Sequence, residues 1–212
     1  MEFEDLIKQV GKLPVVDTEI LLAGISKPES IKVQISRWQK SGKLIQLRRG
    51  LYLLAEPYRK INIYELYLAS ILTKPSYISL EKALEYHGMI PESVPIYTSV
   101  TTKRPGRFET PIGIFDYRHI HVSYFWGYEP VTVNQQTAFM ATPEKALLDL
   151  FYLKVSTASM DYLEELRLQN LEQVSLKRLL DSAKRFGKKK VMNAAQMIVN
   201  YIQAHKKAGK KL

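Results

Sequence analysis

Residues 31–54 read IKVQISRWQKSGKLIQLRRGLYLL, and the fold of the N-terminal part turns on them. Ile31, Ile35 and Trp38 recur at helical spacing, so they form the buried stripe of one helix. Ser41-Gly42 breaks that helix. Lys43 to Leu47 and Leu51 to Leu54 are short apolar-rich runs on either side of Arg48-Arg49-Gly50, the pattern of a tight hairpin with glycine in its turn. Trp38 falls on the inner stripe, so it belongs to the core and does not stack on a base.

Upstream, Phe3, Leu6, Ile7 and Val10 mark a first helix, ended by Gly11 and Pro14. Asp17 is placed to cap a second helix through Leu22, with Gly24 to stop it. Ser26-Lys27-Pro28-Glu29 opens the third helix, with Pro28 in its first turn, where a missing N–H costs little. Helix, helix, helix, hairpin is the order of a winged helix-turn-helix, expected over 1–58. The third helix opposes its inner stripe with Ser30, Val33, Arg37 and Lys40, with Lys32 and Gln34 at the margins. Lys27 and Ser30 lie near its start, where backbone N–H groups point at phosphates. Lys43, Arg48 and Arg49 add the basic hairpin. A lone basic helix is usually a solvated surface. A basic hairpin directly after it shifts the reading to double-stranded DNA. Whether Arg37 reads guanine or clamps a phosphate is open.

Charge placement supports this division. The net charge is +10, yet residues 1–60 carry +4, residues 61–170 carry −3 and residues 171–212 carry +9. Basic ends around an acidic middle suggest polyanion contact at the ends and another task between them. The chain has no cysteine, which excludes disulfides and cysteine-held zinc and fits a cytoplasmic setting. The acidic, amphipathic start is no signal peptide, and no apolar run approaches membrane-spanning length.

The remaining chain, 59–205, reads as a mixed domain, so the expected class is α+β. Tyr64–Leu72, Leu80–His87 and a segment from Pro143 are helical; Ser79 and Thr142 are candidate N-caps. Residues 96–102, 107–110 and 113–122 suggest a small antiparallel sheet. Two or three helices follow, then a basic tail at 206–212. His87 is placed to cap the carbonyls at its helix end. On a strand, His119 and His121 would share one face, with Asp116 and Glu109 near, but a third ligand at fixed spacing is missing; hydrogen-bonding roles are favoured over a metal. No phosphate-binding or nucleophile-elbow motif occurs. Lys103, Arg104 and Arg107 form a basic turn, and Lys188, Lys189 and Lys190 a basic helix junction. Both are secondary candidates for polyanion contact, with solvated charge as the alternative.

Three stretches together resemble one family: SGKLIQLRRGLYLL at 41–54, YISLEKALEYHGMIPESVPIYTSVTTKRPGRFETPIGIFDYRHI at 77–120, and ATPEKALLDLFYL at 141–153. The chain is similar to the antitoxins of AbiE-type toxin–antitoxin systems, the AbiEi family of bacterial regulators. That resemblance implies an N-terminal winged helix and a C-terminal antitoxin domain. It further implies repression of the chain's own operon through inverted repeats in the promoter, and a type IV relation to a co-encoded nucleotidyltransferase toxin. No catalytic activity and no cofactor are implied. The alternatives are an orphan regulator without a toxin, or a metal-dependent nuclease using Asp116 and targeted by the winged helix.

Overall fold

The computed structural model describes residues 2–23, 28–154 and 159–208. Gly24, Ser26 and Lys27, read above as helix stop and helix start, lie outside the described residues. The first helix, α1 (Phe3–Val10), begins with Glu2 N–H donating to the Asp5 carboxylate at 3.0 Å. A two-residue strand, β1 (Val16–Asp17), follows and was too short to show any period in sequence. Asp17 then caps α2 (Thr18–Leu22) by accepting from Glu19 N–H at 2.9 Å, as its position predicts. Next come α3 (Pro28–Lys40), β2 (Leu44–Arg48) and β3 (Leu51–Leu54). The three strands form an antiparallel sheet in the order β1-β3-β2. Gly50 supplies the hairpin's positive φ of 81°, and its carbonyl accepts both Thr18 N–H and Thr18 Oγ1–H. The hairpin tip is thereby tied to the start of α2.

Ile31, Ile35 and Trp38 are buried, as their spacing requires. They pack with Phe3, Leu6, Val10, Val16, Leu44, Tyr52 and Leu54 in a small core. The Phe3 ring joins the parts, 5.4 Å from Trp38 and 5.0 Å from Tyr58. Strand β3 is buried on both faces. Successive side chains on a strand point opposite ways, so Tyr52 and Leu54 enter the small core while Leu51 and Leu53 enter a larger one. A boundary near residue 58 therefore divides the chain but not the packing: the hairpin is sandwiched between two cores.

The larger core is built on a six-stranded sheet. Its elements are α4 (Glu65–Leu72), β4 (Ser76–Ile78), α5 (Leu80–Tyr86), β5 (Ile96–Thr101), β6 (Gly106–Thr110), β7 (Gly113–His119), β8 (Tyr128–Val133), β9 (Gln136–Ala141) and α6 (Pro143–Leu153). Beyond them, among the described residues, lie the α-helices α7 (Met160–Glu165), α8 (Leu176–Phe186) and α9 (Lys189–Ala208). Strand order is β6-β7-β5-β4-β9-β8. The α+β class holds, but the expected small antiparallel sheet is larger and mixed. β5 runs parallel to β7, and β4 parallel to β9. Residues 102–105 carry the chain past one strand position, and the turn at Pro111-Ile112 folds β7 back between β6 and β5. The β8–β9 hairpin escaped the sequence reading because its turn, Asn134-Gln135, has positive φ at both residues without glycine. Pro130 also masks β8, and is tolerated because β8 is an edge strand.

Leu147, Phe151, Ala195, Ile198 and Ile202 are among the side chains sealing α6 and α9 into this core. Thr142 caps α6 as read, accepting from Lys145 N–H at 3.3 Å. Thr142→Ala should cost about 1 kcal/mol in a denaturant titration. α9 continues through the start of the expected basic tail to Ala208, and residues 209–212 lie outside the described residues. Among the described residues no helix is long and apolar enough to cross a membrane.

Candidate nucleic-acid interface

The outer face of α3 is the cationic surface that the N-terminal unit presents. Lys32, Val33, Ser36, Arg37, Gln39 and Lys40 are exposed, as is Ser30. Ser36 was not singled out in the sequence, although steps of about 100° per residue put it on the outward face beside Arg37. Gln39 Nε2–H donates to Gln46 Oε1 at 2.9 Å, fastening the helix to β2. Lys32 reaches Glu29 one turn back at 2.7 Å, both exposed, so part of its charge is locally answered. Lys43 sits with its ammonium 4.7 Å from the Phe3 ring centre. Arg37 and Lys40 carry their charge into solvent.

The two hairpin arginines differ. Arg49 is exposed, but Arg48 is half-buried. Its Nη1–H donates to the Arg49 carbonyl at 3.0 Å, and its Nε is shut away without a partner among the described residues. Its charge also reaches Tyr117 of the six-stranded sheet. Arg48 belongs to the seam between the two cores as much as to the surface. A groove of about 590 Å³ between α2, α3 and the hairpin tip holds Lys32, Arg48 and Arg49, but also Asp17 and Glu19. Arg37 and Lys40 lie on α3 outside this groove, away from Asp17 and Glu19.

The secondary basic residues separate as well. Lys103, Arg104 and Arg107 are exposed around the β5–β6 turn, and Arg107 pairs with Glu109 at 3.1 Å. β6, which carries Arg107, packs beside β2. Lys188 and Lys189 are exposed at the α8–α9 junction, where Gly187 turns the chain with φ 62°. Lys190 is not available in the same way. Its ammonium donates to the carbonyls of Tyr152 and Lys154, satisfying the end of α6.

The histidines take other places than those expected. β7 ends at His119, whose Nδ1 bonds the Lys103 carbonyl, whereas His121 lies beyond the strand and accepts from Ser123 N–H. They do not share a strand face. Asp116 is paired with Arg118 at 2.7 Å. Among the described residues no three His, Asp or Glu side chains gather in a metal-holding arrangement. His87 stands at its helix end, but its Nε2 bonds the Ala141 carbonyl at 2.8 Å across to β9.

No family model and no curated protein matches the chain. One buried constellation has the residue types of a reactive site. Asp149 accepts from Tyr77 Oη–H at 2.9 Å and Ser79 Oγ–H at 2.8 Å, and is ion-paired with Lys145. Ser79 stands at the N-cap position of α5 but gives its hydroxyl to this carboxylate, so the expected cap is absent. A serine, a carboxylate and a lysine in contact have the composition of an acyl-transfer site. Exposure decides against it: Ser79 and Asp149 are 0% exposed and Lys145 1%. The Lys145 ammonium lies 4.8 Å from the Phe186 ring centre and 5.0 Å from that of Trp126. Gly127, with φ 76°, leaves room for the lysine stem, which a Cβ there would meet at 3.1 Å. Burial pulls Lys145 below the ordinary amine range and pushes Asp149 above the carboxylate range, each opposed by the partner's charge. This polar centre locks β4 and α5 to α6.

Proposed function

We propose that the chain is a DNA-binding transcriptional repressor of its own operon. Residues 1–58 act as a winged helix-turn-helix, and 59–205 as an antitoxin domain that counters a co-encoded nucleotidyltransferase toxin. The observation carrying the DNA reading is the order α1-β1-α2-α3-β2-β3 with sheet order β1-β3-β2, combined with the exposed Arg37 and Lys40 face of α3. A helix enters the major groove only by a face free of its own core, and α3 has one. The antitoxin reading rests on the resemblance of 77–120 and 141–153 to AbiEi antitoxins.

Fluorescence anisotropy with a labelled duplex from the chain's upstream region, against a scrambled duplex, tests the first part. Tighter binding to the native duplex is expected, and equal binding to both would remove operator recognition. Arg37→Ala should weaken the native duplex by about 1–3 kcal/mol and relax preference at one base position. Arg49→Ala should weaken native and scrambled duplexes alike. If Arg37→Ala also acts equally on both, Arg37 contacts phosphate only. Rescue of growth on co-expression with the neighbouring nucleotidyltransferase tests the second part.

A further inference from the structure

The outward face of α3 includes one apolar residue, Val33. Taking Ile31, Ile35 and Trp38 as the inner stripe, steps of about 100° put Val33 and Lys40 both nearly opposite it, with Ser36 and Arg37 on either side. Val33 is 51% exposed. A solitary half-exposed valine on an ordinary surface needs no explanation. Here it lies beside Lys40 in the middle of an otherwise polar and cationic face, where a β-branched side chain is also a poor helix former.

We infer that Val33 reads the C5-methyl group of a thymine, resting on the operator-binding reading above. In the major groove only thymine presents a methyl group, and apolar side chains are its natural partners. Phosphates surround the groove, so Lys40 can answer charge while Val33 meets a base edge beside the one facing Arg37. Val33 and Arg37 are one turn apart, about 6 Å along the axis. The base pairs they face are therefore neighbours or next-but-one neighbours, since stacked pairs rise about 3.4 Å each. The operator half-site should hold a thymine within two base pairs of the position that Arg37 contacts.

Deoxyuridine removes that methyl group and nothing else, which makes the test direct. A random duplex library is enriched on the full chain. Each thymine of the winning sequence is then replaced singly by deoxyuridine, and binding is measured for wild type and Val33→Ala. For wild type, one thymine per half-site should lose about fourfold in affinity on replacement, the value of one methyl group kept from water. For Val33→Ala that loss should fall below twofold. Val33 is half exposed, and an unchanged melting temperature checks that Val33→Ala folds. No thymine-sensitive position in wild type, or the same sensitivity in Val33→Ala, overturns the inference while leaving operator binding intact. Failure of the library to enrich any sequence overturns operator binding itself, and Val33's role with it.

Discussion

Lys145→Met and Asp149→Asn should each lower stability by about 3–5 kcal/mol, because each strands a buried charge without its partner. In a protein of this length that corresponds to a fall in melting temperature of roughly 6–20 °C. The double variant should lose much less than the sum of the two. An asparagine keeps acceptors for the Tyr77 and Ser79 hydroxyls, and a methionine fills the space among the Tyr77, Trp126 and Phe186 rings where the lysine lies. Additive losses would show that the two residues act separately.

The two single variants should also respond oppositely to pH. In Lys145→Met, burial holds the lone Asp149 carboxyl above its unfolded value with no ammonium to oppose it. A raised carboxyl favours folding below its unfolded pKa, and that advantage is lost as pH rises through the folded pKa. The deficit of Lys145→Met should therefore shrink from pH 8 toward pH 5. In Asp149→Asn, burial holds the lone Lys145 amine below its unfolded value. A lowered amine favours folding above its unfolded pKa, an advantage lost as pH falls through the folded pKa. That deficit should shrink toward alkaline pH. Chemical denaturation at three pH values reads both slopes, and parallel slopes would contradict a shared, solvent-free site.

The same pair shows where sequence reading stops. Ala146, Leu147, Leu150 and Phe151 recur at helical spacing, as the apolar side of α6 must. Glu144, Lys145 and Asp149 are equally buried, and their charge concealed it. Glu144 is answered by Ser175 N–H and Arg178, Asp149 by Tyr77, Ser79 and Lys145. Apart from Lys145, one turn from Asp149, these partners lie up to 72 residues distant, so no local pattern announces the burial. The ATPEKALLDLFYL stretch at 141–153 is thus occupied with holding the sheet to its helices. In the N-terminal part the opposite held. Short-range spacing determines α1, α3 and the hairpin, and all three stand where the pattern put them. The sequence could not show that β3 has a second buried face, because LYLL reads the same whether one or both sides are covered. Arg48 was assigned to the surface for that reason.

Raising salt from 50 to 200 mM should weaken operator binding by about a thousandfold if some six phosphates are neutralised, a slope near −5 in log affinity against log salt. The structure suggests how that slope divides. Arg37, Lys40 and Arg49 are exposed on the proposed DNA side, whereas Lys32 is engaged by Glu29 and Lys43 rests over Phe3. Each phosphate contact removed should lower the slope by about one. Arg49→Ala should do so, and Val33→Ala should leave the slope unchanged because it carries no charge. Lys188→Ala with Lys189→Ala tests whether the basic helix junction joins the same DNA: a further drop of about two places it there. An unchanged slope assigns that charge to another partner. Lys190→Ala belongs to a different class, since its loss uncovers the Tyr152 and Lys154 carbonyls and should register in stability before binding. A wild-type slope near zero on the native duplex would exclude phosphate neutralisation altogether, and the basic face of α3 would then have to be explained by an acidic protein surface.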